Sequence, residues 1–217
     1  MVSMQPLSLN AAARQVPLRA VVGMESQEDF RLFFRLAKIL HRSDRSLPDL
    51  QKHAKAGEVM CIPFGLQPRG FIEMFLTVDV PQLYLFGRGT GSVSDDQRDL
   101  MRRICRRGDC SAVVLRKRAM PNYLHAAAIY EEYRASVSVQ DDNDVPVEVV
   151  QHVLKPMKFP AWDQLDPQLR ADLAAAMAIE LSIKASRRMT AERLAQRDPD
   201  GEVAGWLRMI GTALNRF

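Results

Sequence analysis

Residues 58–87 read "EVMCIPFGLQPRGFIEMFLTVDVPQLYLFG", and the fold turns on how many strands that stretch contains. Val, Ile, Phe and Tyr crowd into three short runs, "EVMCIPF", "FIEMFLTV" and "QLYLFG", a composition suited to pleated, half-buried backbone. The separators "GLQPRG" and "DVP" carry the glycine and proline of turns. Three runs joined by short turns imply a three-stranded antiparallel meander. A further strand, "CSAVVLRKR", follows Gly108 after an intervening helix. The fold class expected from this pattern is α+β, with a small antiparallel or mixed sheet flanked by helices and a helical C-terminal region behind it.

Helix signals surround that sheet. In "ESQEDFRLFFRLAKILHR", residues 25–42, Ser26 is an N-cap, and Phe30, Phe33, Phe34, Ala37 and Leu40 recur at helical spacing. A short second helix follows in "LPDLQKHAKAG", with Pro48 near its start and Gly57 just past its end. Helix, break, helix is half of a helix-turn-helix, but strand-like sequence stands where a recognition helix would have to follow. Residues 122–135 are helical, and the acidic, turn-rich "SVSVQDDNDVPVE" breaks the pattern. Beyond it Asp166 caps a helix with Pro167 in its first turn, expected to run to about Arg197. Val203, Leu207, Ile210, Leu214 and Phe217 mark a last amphipathic helix. The organisation expected is a flexible arm over 1–20, an α+β domain over 21–138, an acidic, proline-containing connector over 139–165, and a helical region over 166–217. The alanines of that last region suit close helix packing, either on the domain or across a homodimer.

Composition narrows the function classes. Of the residues, 47% are hydrophobic and 26% charged, which is ordinary for a globular chain and argues against wholesale disorder. The net charge of +4 is concentrated: residues 94–118 carry eight Arg or Lys against four Asp. That concentration suits an anionic partner. Three cysteines without CxxC spacing and four scattered histidines give no zinc or disulfide pattern, so no metal or cofactor is expected. No apolar run reaches membrane-spanning length and no secretory signal is recognisable, so the expected compartment is the cytoplasm.

The densest stretch is "LFGRGTGSVSDDQRDLMRRICRRG", residues 85–108. Gly87, Gly89 and Gly91 suggest a phosphate-cradling loop, but Ser94 and Gln97 form a capping pair, and Asp95 and Asp96 fill the first helical turn. Two carboxylates at the positive end of the helix dipole repel a bound phosphate, so the glycines are read as turn residues. On the helix itself Leu100, Met101 and Ile104 make an apolar stripe, and Arg98, Arg102 and Arg106 lie opposite it.

Taken in order, "GFIEMFL", "LYLF", "GSVSDDQR" and "RRGDCSAVV" resemble the core of the VRR-NUC branch of the PD-(D/E)XK nucleases over residues 70–115. The resemblance implies a metal-binding acid at Glu73 and a Glu-x-Lys pair in "LFGRG", where Phe86 and Arg88 stand instead. Phenylalanine cannot bind Mg²⁺, and arginine stays protonated. The expectation is therefore a scaffold without cleavage activity and with no catalytic residues.

From these residues the expected function is non-catalytic nucleic-acid binding, DNA before RNA, by a homodimeric regulator of bacterial type. Arg98, Arg102 and Arg106 would contact phosphates, supported by Arg88, Arg116 and Arg118. Two alternatives stay open. One is an adaptor or chaperone that meets an acidic protein partner through its alanine-rich helices. The other is a metal-dependent nuclease using Glu73.

Overall fold

A computed structural model describes residues 17–65, 68–89, 93–157 and 160–216. The arm expected over 1–20 therefore lies mostly outside the described residues, as does Gly91. Strand β1 (Ala20–Met24) opens the described chain, followed by α1 (Gln27–Ser43), α2 (Leu50–Lys55) and β2 (Val59–Pro63). Next come α3 (Pro68–Phe75), β3 (Gln82–Phe86), α4 (Asp95–Cys105) and β4 (Cys110–Val114). Helices α5 (Ala126–Tyr133), α6 (Val145–Leu154), α7 (Pro167–Ile183), α8 (Ala191–Arg197) and α9 (Glu202–Leu214) complete it.

The four strands form one sheet in the order β2-β1-β3-β4, and every pairing is parallel. The α+β class with an antiparallel or mixed sheet expected from the sequence is wrong: the sheet is all parallel and the class is α/β. The error lies in "FIEMFLTV", which is helical over Pro68–Phe75 rather than a strand. Pro68 is well suited to a first helical turn, and Ile72 is buried while Phe71 and Phe75 stack one turn apart at 5.1 Å between ring centres. With a helix between them, β2 and β3 are joined by a crossover, the connection parallel strands require, and both pair parallel with β1. Strands β1 and β3 are buried along their whole lengths, as expected for parallel strands covered on both faces.

Alternate residues of each strand feed two cores. Val22, Met24, Leu83 and Leu85 join Phe33 and Leu36 of α1 and Trp206, Leu207 and Ile210 of α9 on one face. Val21, Tyr84 and Phe86 join Ile72 of α3 and Leu100 and Ile104 of α4 on the other. The sheet thus grows outward from β1 in both directions, with the crossovers on opposite faces, as right-handed connections require.

The C-terminal helices extend the first core. Trp206 packs edge-on against Phe33 at 6.0 Å and against Tyr123 at 5.6 Å. The long helix expected from Asp166 to about Arg197 is broken. Helix α7 ends at Ile183, a 3-10 turn spans Ala185–Arg188, and Thr190 caps α8 by accepting from the Arg193 N–H. The buried Ser186 hydroxyl donates to the Ser182 carbonyl at 2.6 Å within that break. Within the stretch read as a connector, α6 buries Val145, Val149 and Val150. Among the described residues no helix is long and apolar enough to cross a membrane.

Candidate functional site

Helix α4 starts where Ser94 accepts from the Gln97 N–H at 3.2 Å, as its sequence implies. Leu100 and Ile104 are buried against the sheet, so the positions opposite them face outward. Arg98, Arg102 and Arg106 occupy that outward face and all three are exposed. Arg98 donates to the Val93 carbonyl at 3.0 and 2.8 Å and lies 3.6 Å from Asp95. Arg102 reaches Asp99 at 3.0 Å. Among the described residues the Arg106 side chain has no hydrogen-bond or ion-pair partner. Eight positions at about 1.5 Å each spread the row over about 12 Å.

Arg103 and Arg107, which flank the apolar stripe, are held instead by the protein. Arg103 pairs with Glu73 of α3. Arg107 donates to the carbonyls of Leu76 and Val78 at 2.6 and 2.8 Å and pairs with Asp109, tying α4 to the loop before β3.

The three arginines expected as supporting contacts are engaged elsewhere. Arg88 pairs with Asp142, Arg116 with Asp200, and Arg118 with Asp144 at 2.6 Å. Between them the buried Lys117 reaches Asp141 at 2.5 Å, and Arg197 reaches the same carboxylate at 2.9 Å. The acidic stretch 141–144 is therefore clasped to the ends of β3 and β4. The structure leaves three of the six expected contacts together on one open face and pairs the other three with acids distant in sequence, Arg116 through an exposed pair.

A second feature escaped the sequence reading. Strand β1 sends its chain to one face and β3 to the other, so the sheet parts at their carboxyl ends. Open parallel sheets hold ligands at this reversal of strand order. A crevice of about 750 Å³ lies there, lined by Glu25, Phe64, Arg69, Glu73, Phe86, Ser94, Asp96, Gln97 and Leu100 among others. The size is within the usual range for small-ligand pockets, about 300–1,000 Å³. Arg69 spans the gap between α3 and α4 at 3.9 Å from the Asp96 carboxylate.

Glu25 follows β1 directly and its Oε1 accepts from the Gly87 N–H at 3.1 Å. Glycine at 87 makes that approach possible, because a Cβ there would lie 2.9 Å from Glu25 Oε2. Gly89, in the left-handed region at φ +66°, turns the chain back so that its N–H donates to the Arg118 carbonyl at 3.1 Å. Two of the glycines thus shape a carboxylate site and a turn. The crevice walls desolvate Glu25 and raise its pKa, and the Gly87 hydrogen bond only partly offsets this. Glu25 nevertheless keeps its contact with solvent at the crevice. Four residues on, burial raises Asp29 to about 6 against the hydrogen bonds it makes with Ser26. A carboxylate closing an apolar run and preceding a capping box was the available signal for Glu25.

The nuclease-like resemblance meets a different geometry. Glu73 lies on α3 rather than on a strand, and its carboxylate is taken by Arg103. Phe86 is buried and Arg88 points to Asp142. Among the described residues, no group of three or more His, Cys, Asp or Glu side chains is placed to hold a metal ion. No family model matches the chain, and neither a curated protein nor a solved structure matches it.

Proposed function

We propose that this chain is a non-catalytic nucleic-acid-binding protein, a DNA-binding regulator working as a homodimer in the cytoplasm, whose contact surface is the outward face of α4. The observation that carries this reading is the solvent-facing row of Arg98, Arg102 and Arg106 on a helix whose other side is anchored in the core. Their partners Asp95 and Asp99 are themselves largely exposed. Exposed pairs of this kind are worth about 0–1 kcal/mol, so a phosphate can displace the aspartate at little cost. Arginine also matches phosphate with two parallel N–H donors where lysine offers a point charge. The reading concentrates binding on these three; Arg88 and Arg118 are partly buried and paired with the 141–144 stretch, and the exposed Arg116 lies apart at the end of β4.

The test is affinity for a duplex of about 20 base pairs as a function of salt. An Arg98/Arg102/Arg106→Ala triple variant loses up to about three phosphate contacts, and each contact contributes about 0.9 to the slope of log K against log salt. The expected result is a slope shallower by about 2 to 3 with weaker binding at low salt. An Arg118→Ala variant, which removes a half-buried pair, is expected to keep the wild-type slope. Equal affinity and equal slope for wild type and triple variant overturn the proposal.

A second reading has one observation behind it. Leu169 and Ile179 of α7 are 41% and 38% exposed on a helix built largely from small residues. An exposed apolar stripe favours an adaptor that binds protein. Capture of a protein partner that survives nuclease treatment, with no binding to DNA, would favour this second reading over the first.

A further inference from the structure

The crevice and the arginine row share one helix. Ser94, Asp96, Gln97 and Leu100, at the amino-terminal end of α4, line the crevice, and Arg98, Arg102 and Arg106 occupy the opposite, outward face. A strand whose phosphates follow the row reaches the crevice only by passing around the amino-terminal end of α4, where Asp95 and Asp96 favour an incoming base over a phosphate.

The lining of the crevice suits a flat, mostly apolar group with a polar edge. Phe64, Phe86 and Leu100 close its floor, and Phe64 and Phe86 stack at 5.0 Å between centres. Above them Glu25 spends one carboxylate oxygen on the Gly87 N–H. Among the described residues no donor reaches its second oxygen. Gln97 adds an amide that both donates and accepts. The neighbouring Glu73 is paired with Arg103, and Asp96 stands out in solvent 3.9 Å from Arg69, so Glu25 is the carboxyl beside the apolar floor with an oxygen open to a ligand.

We propose that this crevice seats one unpaired nucleobase bearing an exocyclic amino group, with that amino group donating to Glu25 and the ring lying on the Phe64, Phe86 and Leu100 floor. Adenine, cytosine and guanine carry such a group, and thymine and uracil do not. A carboxyl that accepts from the amino group is left short of a partner when thymine is seated, which is the basis of discrimination by an unmet polar group. The inference rests on the nucleic-acid reading of α4 and adds a site to it. The base can come from a strand end or from a free nucleotide, and the two sources share this chemistry.

The experiment uses the full chain and a duplex of about 20 base pairs carrying a single unpaired terminal nucleotide. The nucleotide is dA, dC, dT or an abasic residue, with the blunt duplex as reference. The expected order is dA and dC tighter than dT, and dT tighter than abasic. Base stacking of the usual strength makes dA tighter than abasic by about tenfold or more. A Glu25→Gln variant is expected to narrow the dA-to-dT difference while keeping the salt slope of the wild type. A Gly87→Ala variant, whose Cβ displaces the carboxylate, is expected to do the same.

Equal binding of dA, dT and abasic ends with an intact Arg98-dependent salt slope overturns the base site and leaves the α4 proposal standing. Loss of that slope overturns the α4 proposal itself. Adenosine monophosphate alone is the second arm. Saturable binding lost in Glu25→Gln assigns the crevice to free nucleotides, and its absence beside a dA preference assigns it to strand ends. The comparison among DNA ends needs no variant, so it stands even where a substitution fails to fold.

Discussion

Two clusters of basic residues lie within 25 positions of each other and have different surroundings. Arg98, Arg102 and Arg106 stand on the outward face of α4 with partners one turn away or none. Arg116, Lys117 and Arg118 leave the end of β4 and meet Asp200, Asp141 and Asp144, which lie 84, 24 and 26 residues further on. Sequence density treats the two clusters alike. The difference is set by where the chain returns: the acidic stretch 141–144 folds back over β4, and no comparable acidic segment is described over α4. Lys117 and Arg118, held by distant acids and largely buried, are part of the fold, whereas arginines facing only their own helix's acids remain available to a ligand.

The largest effect expected from this comparison is at Asp141. Lys117 is 6% exposed, and its ammonium relies on Asp141 and on the face of Tyr123, 5.4 Å from the ring centre. The Lys117 hydrogen bond holds the Asp141 carboxyl below the usual range, with Arg197 adding to the effect. Breaking a fully buried pair costs about 3–5 kcal/mol, and the half-exposed Asp141 brings that down to about 2 kcal/mol. Asp141→Ala is therefore expected to lower the melting temperature by about 6 °C, at about 2–4 °C per kcal/mol for a chain of this size. Asp99→Ala on α4 is expected to change it by less than about 2 °C. Thermal unfolding of both variants by circular dichroism checks the contrast, and similar shifts would remove the distinction between the clusters.

That contrast also marks what the sequence could reveal. The caps were legible because each is local: Ser26, Ser94 and Asp166 start their helices by accepting N–H bonds within three residues. The outward arginine row was legible for the same reason, since a helical wheel needs only the helix. The sheet was not. Phe71, Ile72 and Phe75 look as much like a strand as a helix, and that ambiguity in eight residues turned a parallel sheet into an antiparallel one. The pairings of Arg88, Arg116 and Arg118 were invisible because they depend on acids brought near only by the fold. Glu25 was hidden more simply, as the first residue of a stretch read for its helix rather than as the last step of a strand.

Asp29 adds a carboxylate with no basic partner among the described residues, and so the opposite pH response. Its folded value is about 6 against an ordinary 3.8, with burial as the main cause. Above pH 6 the folded chain carries a charge that its surroundings disfavour. As pH falls through 6 the folded state takes up a proton that the unfolded chain does not bind until near 3.8, so stability rises across that window. Asp109 and Asp141, lowered by basic partners, act in reverse and lose their contribution only as pH falls below the usual carboxylate range. Glu25 shifts in the same direction as Asp29, so the measurement has to be a difference. Between pH 7.5 and 5.5 the wild type is expected to gain about 1 kcal/mol more than Asp29→Asn, read as about 2–4 °C in melting temperature. Equal gains would show that Asp29 titrates normally.

The smallest expected effect bears most directly on the availability of α4. Asp95 and Asp99 compete with any phosphate for Arg98 and Arg102. They also suit the helix dipole near its amino end, Asp95 in the first turn above all. Replacing both with asparagine should therefore move two properties in opposite directions. Stability is expected to fall by a few tenths of a kcal/mol as the dipole loses its counter-charge. Affinity for duplex DNA is expected to rise about threefold, because two exposed pairs of about 0.3–0.5 kcal/mol each no longer have to be broken. Titration of the double variant at fixed low salt, beside its thermal melt, reads both. Weaker binding would mean that the aspartates position the arginines for their ligand rather than compete with it. That outcome would put α4 with β4, as a basic cluster whose acids belong to its working geometry.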